Sequence, residues 1–312
     1  MSKESAITFI AVIPLALWFF TETSVKSIVK LTAPLVLTLF VFLGIRGVVL
    51  HQPNKEQAIA EELMNDPFLV LDENAQYTPL IQGSFTQKLV NPNANTFVKM
   101  PYRNQLATNF YTYSNYLKLL VVPYPLTVDY YPRHIEIKSF SHFSVLFSVI
   151  IHLFLLIWAL FNVKRKNLIA FGILYYFITF SITSNLFFPI GTNMAERFMF
   201  MPSIGFCLIV ACLFYVLGNR ISQPKTNSGF SKIYVGLGII VVVFAGLTIK
   251  RNFDWKDNLT LFSNDILVSK NSGKINNDLA GVYVLEAVTT KQDKLKVHEV
   301  FVTFGRKFHL SN

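Results

Sequence analysis

The stretch FPIGTNMAERFMFMPSIGF, Phe188 to Phe206, sets two adjacent charges in an apolar landscape. No charged residue occurs from Asn167 to Ala195 before the pair, or from Phe198 to Asn219 after it. Each run is long enough to cross a hydrocarbon layer of ~30 Å as a helix. Glu196 and Arg197 then form the turn between two membrane spans. Two apolar runs joined by such a turn imply an all-α, polytopic membrane protein.

Composition agrees. The 312 residues are 52% hydrophobic and 15% charged, where a soluble domain carries about 25% charged residues. The net charge of +10 need not mean nucleic acid, which is not an expected partner. In a membrane protein, excess Lys and Arg belong in cytosolic loops and beside lipid headgroups, so membrane lipid is the expected partner. Cys207 and Cys212 lie in one apolar run and read as buried thiols. No Cys/His cluster has metal-ligand spacing, and no metal is expected.

Working outward from the turn gives about six spans: Ser5–Thr21, Leu31–Leu50, Phe143–Val163, Asn167–Ile190, Phe198–Gly218 and Ile233–Ile249. The chain divides into two spans over 1–50, a long loop over 51–142, four spans over 143–250 and a tail over 251–312. Within the loop, Asn54–Met64 reads as a short helix and Asn91–Asn95 as a turn. Residues 115–126 are apolar but too short to span, and are expected at the membrane surface. In the tail, Asn271–Ala287 has a helical pattern and Val297–Phe308 a weaker one.

Loop charge sets the orientation. Lys26 and Lys30, then Lys164, Arg165 and Lys166, then Arg220, Lys225 and Lys232 fall in three turns on one side. By the positive-inside rule that side is cytosolic. The long loop, the Glu196–Arg197 turn and the tail are then exoplasmic, periplasmic or lumenal.

Two charges at a membrane boundary can simply flank a span. The sharper reading is a polyanion site, because a guanidinium fork matches phosphate oxygens and ionisable groups near hydrocarbon tend to be functional. Lys3 and Glu4 precede the first span on the same face. Asp129, Arg133 and His134 follow the surface segment. As helix flanks and loop charges these need no special role. Together they would suit a lipid-linked phosphate donor: cations for the phosphate and a carboxylate as base.

Four stretches also resemble one family, in order. They are SKESAIT (Ser2–Thr8), NYLKLLVVPYPLTVDYYPRHIE (Asn115–Glu136), FPIGTNMAERFMFMPSIGFC (Phe188–Cys207) and RNFDWKDNLTLFSND (Arg251–Asp265). They resemble motifs of the transmembrane and tetratricopeptide-repeat O-mannosyltransferases and their bacterial relatives, with the AER-to-GF stretch the most specific. The resemblance covers roughly Ser2 to Leu285. It implies the C-terminal membrane half of a GT-C glycosyltransferase, with a short helical tail like the start of a tetratricopeptide repeat. It also implies a polyprenyl- or dolichyl-phosphate sugar (mannose) as donor, with no further cofactor. Transfer would be inverting, to Ser or Thr of an exported protein. Carried over by position, Asp129 and Glu4 are the catalytic candidates. Arg197, Lys3 and Glu196 are the donor phosphate-binding candidates. The family's usual catalytic acid stands upstream of the KE motif with which this chain opens, so an N-terminally shortened member of doubtful activity is expected. The alternatives are a non-enzymatic membrane scaffold or anchor, and a polymerase or ligase of lipid-linked glycans.

Overall fold

The computed structural model describes residues 4–49, 69–71, 97–99, 101–130, 134–187, 190, 192–221 and 228–290. After a 3-10 turn at Glu4–Thr8 come helices α1 (Phe9–Phe20) and α2 (Val25–Val49). Then follow α3 (Tyr102–Val121), α4 (Phe143–Asn162), α5 (Leu168–Ser181), α6 (Phe200–Ile221), α7 (Ser228–Asp254), α8 (Asn258–Val268) and α9 (Gly273–Thr290). The all-α membrane class is thus what the chain adopts. A minor exception lies in the long loop, where β1 (Leu69–Leu71) and β2 (Phe97–Lys99) pair antiparallel with Val70 opposite Val98. The expected helices at Asn54–Met64 and Val297–Phe308, the turn at Asn91–Asn95, Lys3 and Arg133 lie outside the described residues.

Among the described residues, four helices are long and apolar enough to cross a membrane: Val25–Val48, Phe143–Arg165, Glu196–Gly218 and Val235–Asp254. They match the second, third, fifth and sixth expected spans. The first and fourth are shorter apolar helices, Ala6–Phe20 and Leu168–Ser181. The reason for the shortening of α5 is chemical. Beyond it, Ser181 Oγ donates to Ile178 O (2.7 Å) and Ser184 Oγ to Ser181 O (2.7 Å), competing with the helix ladder. Asn185 then takes a left-handed conformation (φ 54°), which Asn tolerates better than most residues.

The chain divides into two compact units. The first comprises Met1–Tyr116, Ile137–Asn193 and Phe198–Leu213. Its core gathers Val12 and Phe19 of α1, Ala159 of α4, and Ala170, Phe171, Ile173, Leu174 and Tyr175 of α5. Helices α5 and α6 approach at two glycines: a Cβ on Gly172 would stand 2.8 Å from Gly205 O. Small residues allow this close contact, the usual device of packing inside a bilayer. Cys207 is exposed on α6 and Cys212 half-buried. The expected burial of both thiols is therefore corrected for Cys207. The reason is that an apolar helix in a membrane turns part of its apolar face to lipid rather than to a core.

Helix α3 was not foreseen as a helix. Its buried face is Ala107, Thr108, Asn109, Thr112, Tyr113 and Tyr116, at helical spacing but polar in half its members. Those polar groups are satisfied: Asn109 Nδ2 donates to Asn185 O (2.8 Å) and Tyr113 OH to Ser184 O (2.6 Å). Asn185 in turn donates to Thr192 O (2.8 Å) and accepts from Ile190 N (2.8 Å). Buried polar groups paired in this way fix the turn after α5.

The second unit comprises Leu117–Glu136, Met194–Arg197 and Phe214–Asn312. Helices α8 and α9 are joined by a short turn, with Ser269 N donating to Asp265 O (2.9 Å) and Ser272 N to Ser269 O (2.9 Å). Asp257 caps α8 by accepting from Thr260 N (2.8 Å), as an N-cap aspartate does. Leu261, Ile275 and Leu279 are buried, so each helix gives the unit an apolar face.

Candidate functional site

The second unit holds the quoted Glu196–Arg197 turn, the segment with Asp129 and the tail. Residues 122–130 follow the end of α3 without helical structure. Their backbone donors therefore need partners from elsewhere. Two carboxylates supply them. Thr127 N donates to Glu196 Oε1 (2.7 Å) and Val128 N to Asp265 Oδ2 (2.7 Å). Tyr130 OH also donates to Glu196 Oε1 (2.8 Å). Thr127 Oγ1 lies 2.8 Å from Ser269 Oγ, and Asp129 Oδ2 lies 3.2 Å from Lys274 Nζ. Residues 127–130 thus form a strap gripped side chain by side chain.

Asp265 can serve the strap because its charge is balanced. Arg251, at the end of α7, reaches it with two bonds, NH1 to Oδ1 (2.5 Å) and NH2 to Oδ2 (2.9 Å). The two side chains are 14% and 1% exposed. A buried carboxylate needs such a cation, and the bidentate fork is the strongest form of the pair. Arg251 also donates to Asp254 (3.2 Å) and stands 5.9 Å from the Trp255 ring centre.

Around Asp129 the field is mixed. The residue is 2% exposed, while half of the Lys274 side chain is exposed. Asp278, on α9, feels both groups. Burial pushes its carboxyl above the ordinary value, Lys274 opposes the rise, and Asp129 adds to it. The His134 ring lies against Tyr130 at a tilt of 58°, centroids 5.4 Å apart, and burial lowers its imidazole below the ordinary value.

Among the expected site residues, Glu196 and Asp129 come together on the strap. Glu196 uses its carboxylate to hold backbone and phenol. Arg197, in the 3-10 turn Glu196–Met199, is exposed. Glu4 begins the turn before α1, in the first unit. The sequence reading overlooked Arg251, Asp265, Ser269, Lys274, Thr127 and Tyr130 as site residues. Arg251 and Asp265 open and close the last quoted motif, a signal that was available. Lys274 has no such signal. Among the described residues, no group of three His, Cys, Asp or Glu could hold a metal ion.

The chain is 31% identical over 133 residues to protein O-mannosyl-transferase TMTC3 of Mus musculus, covering 39% of this chain and 14% of that one. The chain is thus similar to the TMTC proteins over these residues. It is 33% identical over 144 residues to Tmtc3 of Drosophila melanogaster, covering 42% of this chain and 15% of that one. With a protein O-mannosyl-transferase of Caenorhabditis elegans it shares 29% identity over 208 residues, 66% of this chain and 28% of the relative. The matches with the mouse and fly proteins therefore span about one-seventh of the length of those TMTC relatives. No protein-family model matches the chain, and no solved structure does. The four span-length helices make it an integral membrane protein.

Proposed function

We propose that this chain serves transfer of a sugar, mannose, from a polyprenyl- or dolichyl-phosphate carrier to Ser or Thr of exported proteins. The relatives' names carry the reading: each is a protein O-mannosyl-transferase. The turn supports it. Glu196 is engaged by the strap, so the neighbouring Arg197 is presented from a fixed 3-10 turn. A guanidinium there suits the carrier's phosphate, which gains charge as the sugar leaves. Glu196 acts as the anchor of this donor subsite, and Lys3 is a further phosphate-binding candidate by its place in the family motif alone. Inverting transfer needs a base for the acceptor hydroxyl. Asp129, with Glu4 as the second candidate, fills that role. The turn, the strap and the tail lie on the exoplasmic side, and the tail resembles the start of a tetratricopeptide repeat.

A transfer assay with polyprenyl-phosphate mannose and a Ser/Thr peptide tests this. Arg197→Ala should raise the donor KM about tenfold or more, the loss of a charge-assisted bond to phosphate. An active protein whose donor KM ignores the substitution would remove Arg197 from the role.

A further inference from the structure

Three consecutive strap residues are each held by the α8–α9 hairpin. Thr127 meets Ser269, Val128 meets Asp265 and Asp129 meets Lys274. Asp265 and Ser269 are four apart on α8 and so share one face. Lys274 opens α9 just after the turn. From the other side, Glu196 holds Thr127 and Tyr130. Thr127 is bound from both directions, through its amide and through its hydroxyl.

These ties have little slack. They are a hydroxyl pair at 2.8 Å, a carboxylate on an amide at 2.7 Å and an ion pair at 3.2 Å. The acceptor of the Val128 amide is itself fixed by the Arg251 fork. The hairpin and the Glu196–Arg197 turn therefore share one short, fully engaged segment.

We propose that Asp265, Ser269 and Lys274 are positioning residues that set the register between the tail and the Glu196–Arg197 turn. The inference rests on the transfer reading above, with the acceptor on the tail side and the donor phosphate on the Arg197 side. Loosening the hairpin from the strap should then impair use of the acceptor and spare binding of the donor.

Lys274 is the residue to test, because its half-exposed side chain makes its loss less threatening to folding than loss of Asp265. The full chain in lipid nanodiscs would carry Lys274→Met, Lys274→Arg or Ser269→Ala. Hydrogen exchange of the peptide containing 127–130 reads the tie without any activity. Lys274→Met should speed it about tenfold, with Ser269→Ala in the same direction and Lys274→Arg close to wild type. In the transfer assay, Lys274→Met should lower kcat/KM for the acceptor about tenfold while the donor KM stays within about twofold, again restored by Lys274→Arg. Unchanged exchange in Lys274→Met overturns the tie. A donor KM that shifts as much as the acceptor value overturns the positioning role. If the wild-type chain transfers nothing, the function reading fails, and the exchange arm still decides whether the hairpin holds the strap.

Discussion

A single carboxylate, Asp265, shows how much one residue can hold. It is fully buried, accepts from Val128 N and receives both arms of Arg251. Asp265→Ala removes the partner of a guanidinium that is only 14% exposed, and leaves the Val128 amide without this acceptor. Breaking a buried pair from one side typically costs about 3 kcal/mol or more. A thermal melt in detergent should show that loss, with Asp265→Asn intermediate because it keeps an acceptor oxygen. A melt unchanged in Asp265→Ala would refute the central place given to this residue. Glu196 teaches a related lesson. Its position beside Arg197 was visible in the sequence as a charged break between apolar runs. Its partners were not, because Thr127 and Tyr130 lie 69 and 66 residues away and nothing in a linear pattern aligns an amide with a distant carboxylate.

At the scale of elements, the long spans were legible because apolar length alone identifies them. Helix α5 was expected to run to Ile190 and ends at Ser181. In α5 the terminating signal, Ser-Ile-Thr-Ser-Asn at 181–185, is polar but uncharged, so a reading built on charge passed over it. Helix α3 was missed for the opposite reason: its buried face uses Thr, Asn and Tyr, and no aliphatic stripe announced it. Helix α9 was legible from its pattern at Asn271–Ala287. Helix α8 begins on a cap whose behaviour with pH can be stated. The Thr260 amide holds the Asp257 carboxyl below its ordinary value of 3.8. A carboxylate depressed in the folded state stabilises fully above the ordinary value and loses that contribution as pH falls through the lowered one. Asp257→Asn should therefore flatten the acid end of the stability profile. Melting points of both proteins across the range from just above to below the carboxylate value check this, and parallel profiles would contradict it.

For the whole molecule, the three basic turns predict which residues share a side of the membrane. With Cys207 and Cys212 replaced by Ser, Lys164→Cys and Lys256→Cys should react with an impermeant maleimide from opposite faces. Labelling of both from one face would overturn the orientation. The order of synthesis also matters for this protein. Thr127, Val128 and Asp129 meet partners made 142, 137 and 145 residues later. At ~5–20 residues per second, the ribosome needs roughly 7–30 s to reach them. Through that interval the Val128 amide and the Thr127 hydroxyl must be satisfied by water or by the insertion machinery. Maturation of the second unit is therefore postponed until the α8–α9 hairpin emerges, and a ribosome stalled before the hairpin would leave a protein already inserted in its membrane but with this strap unmade.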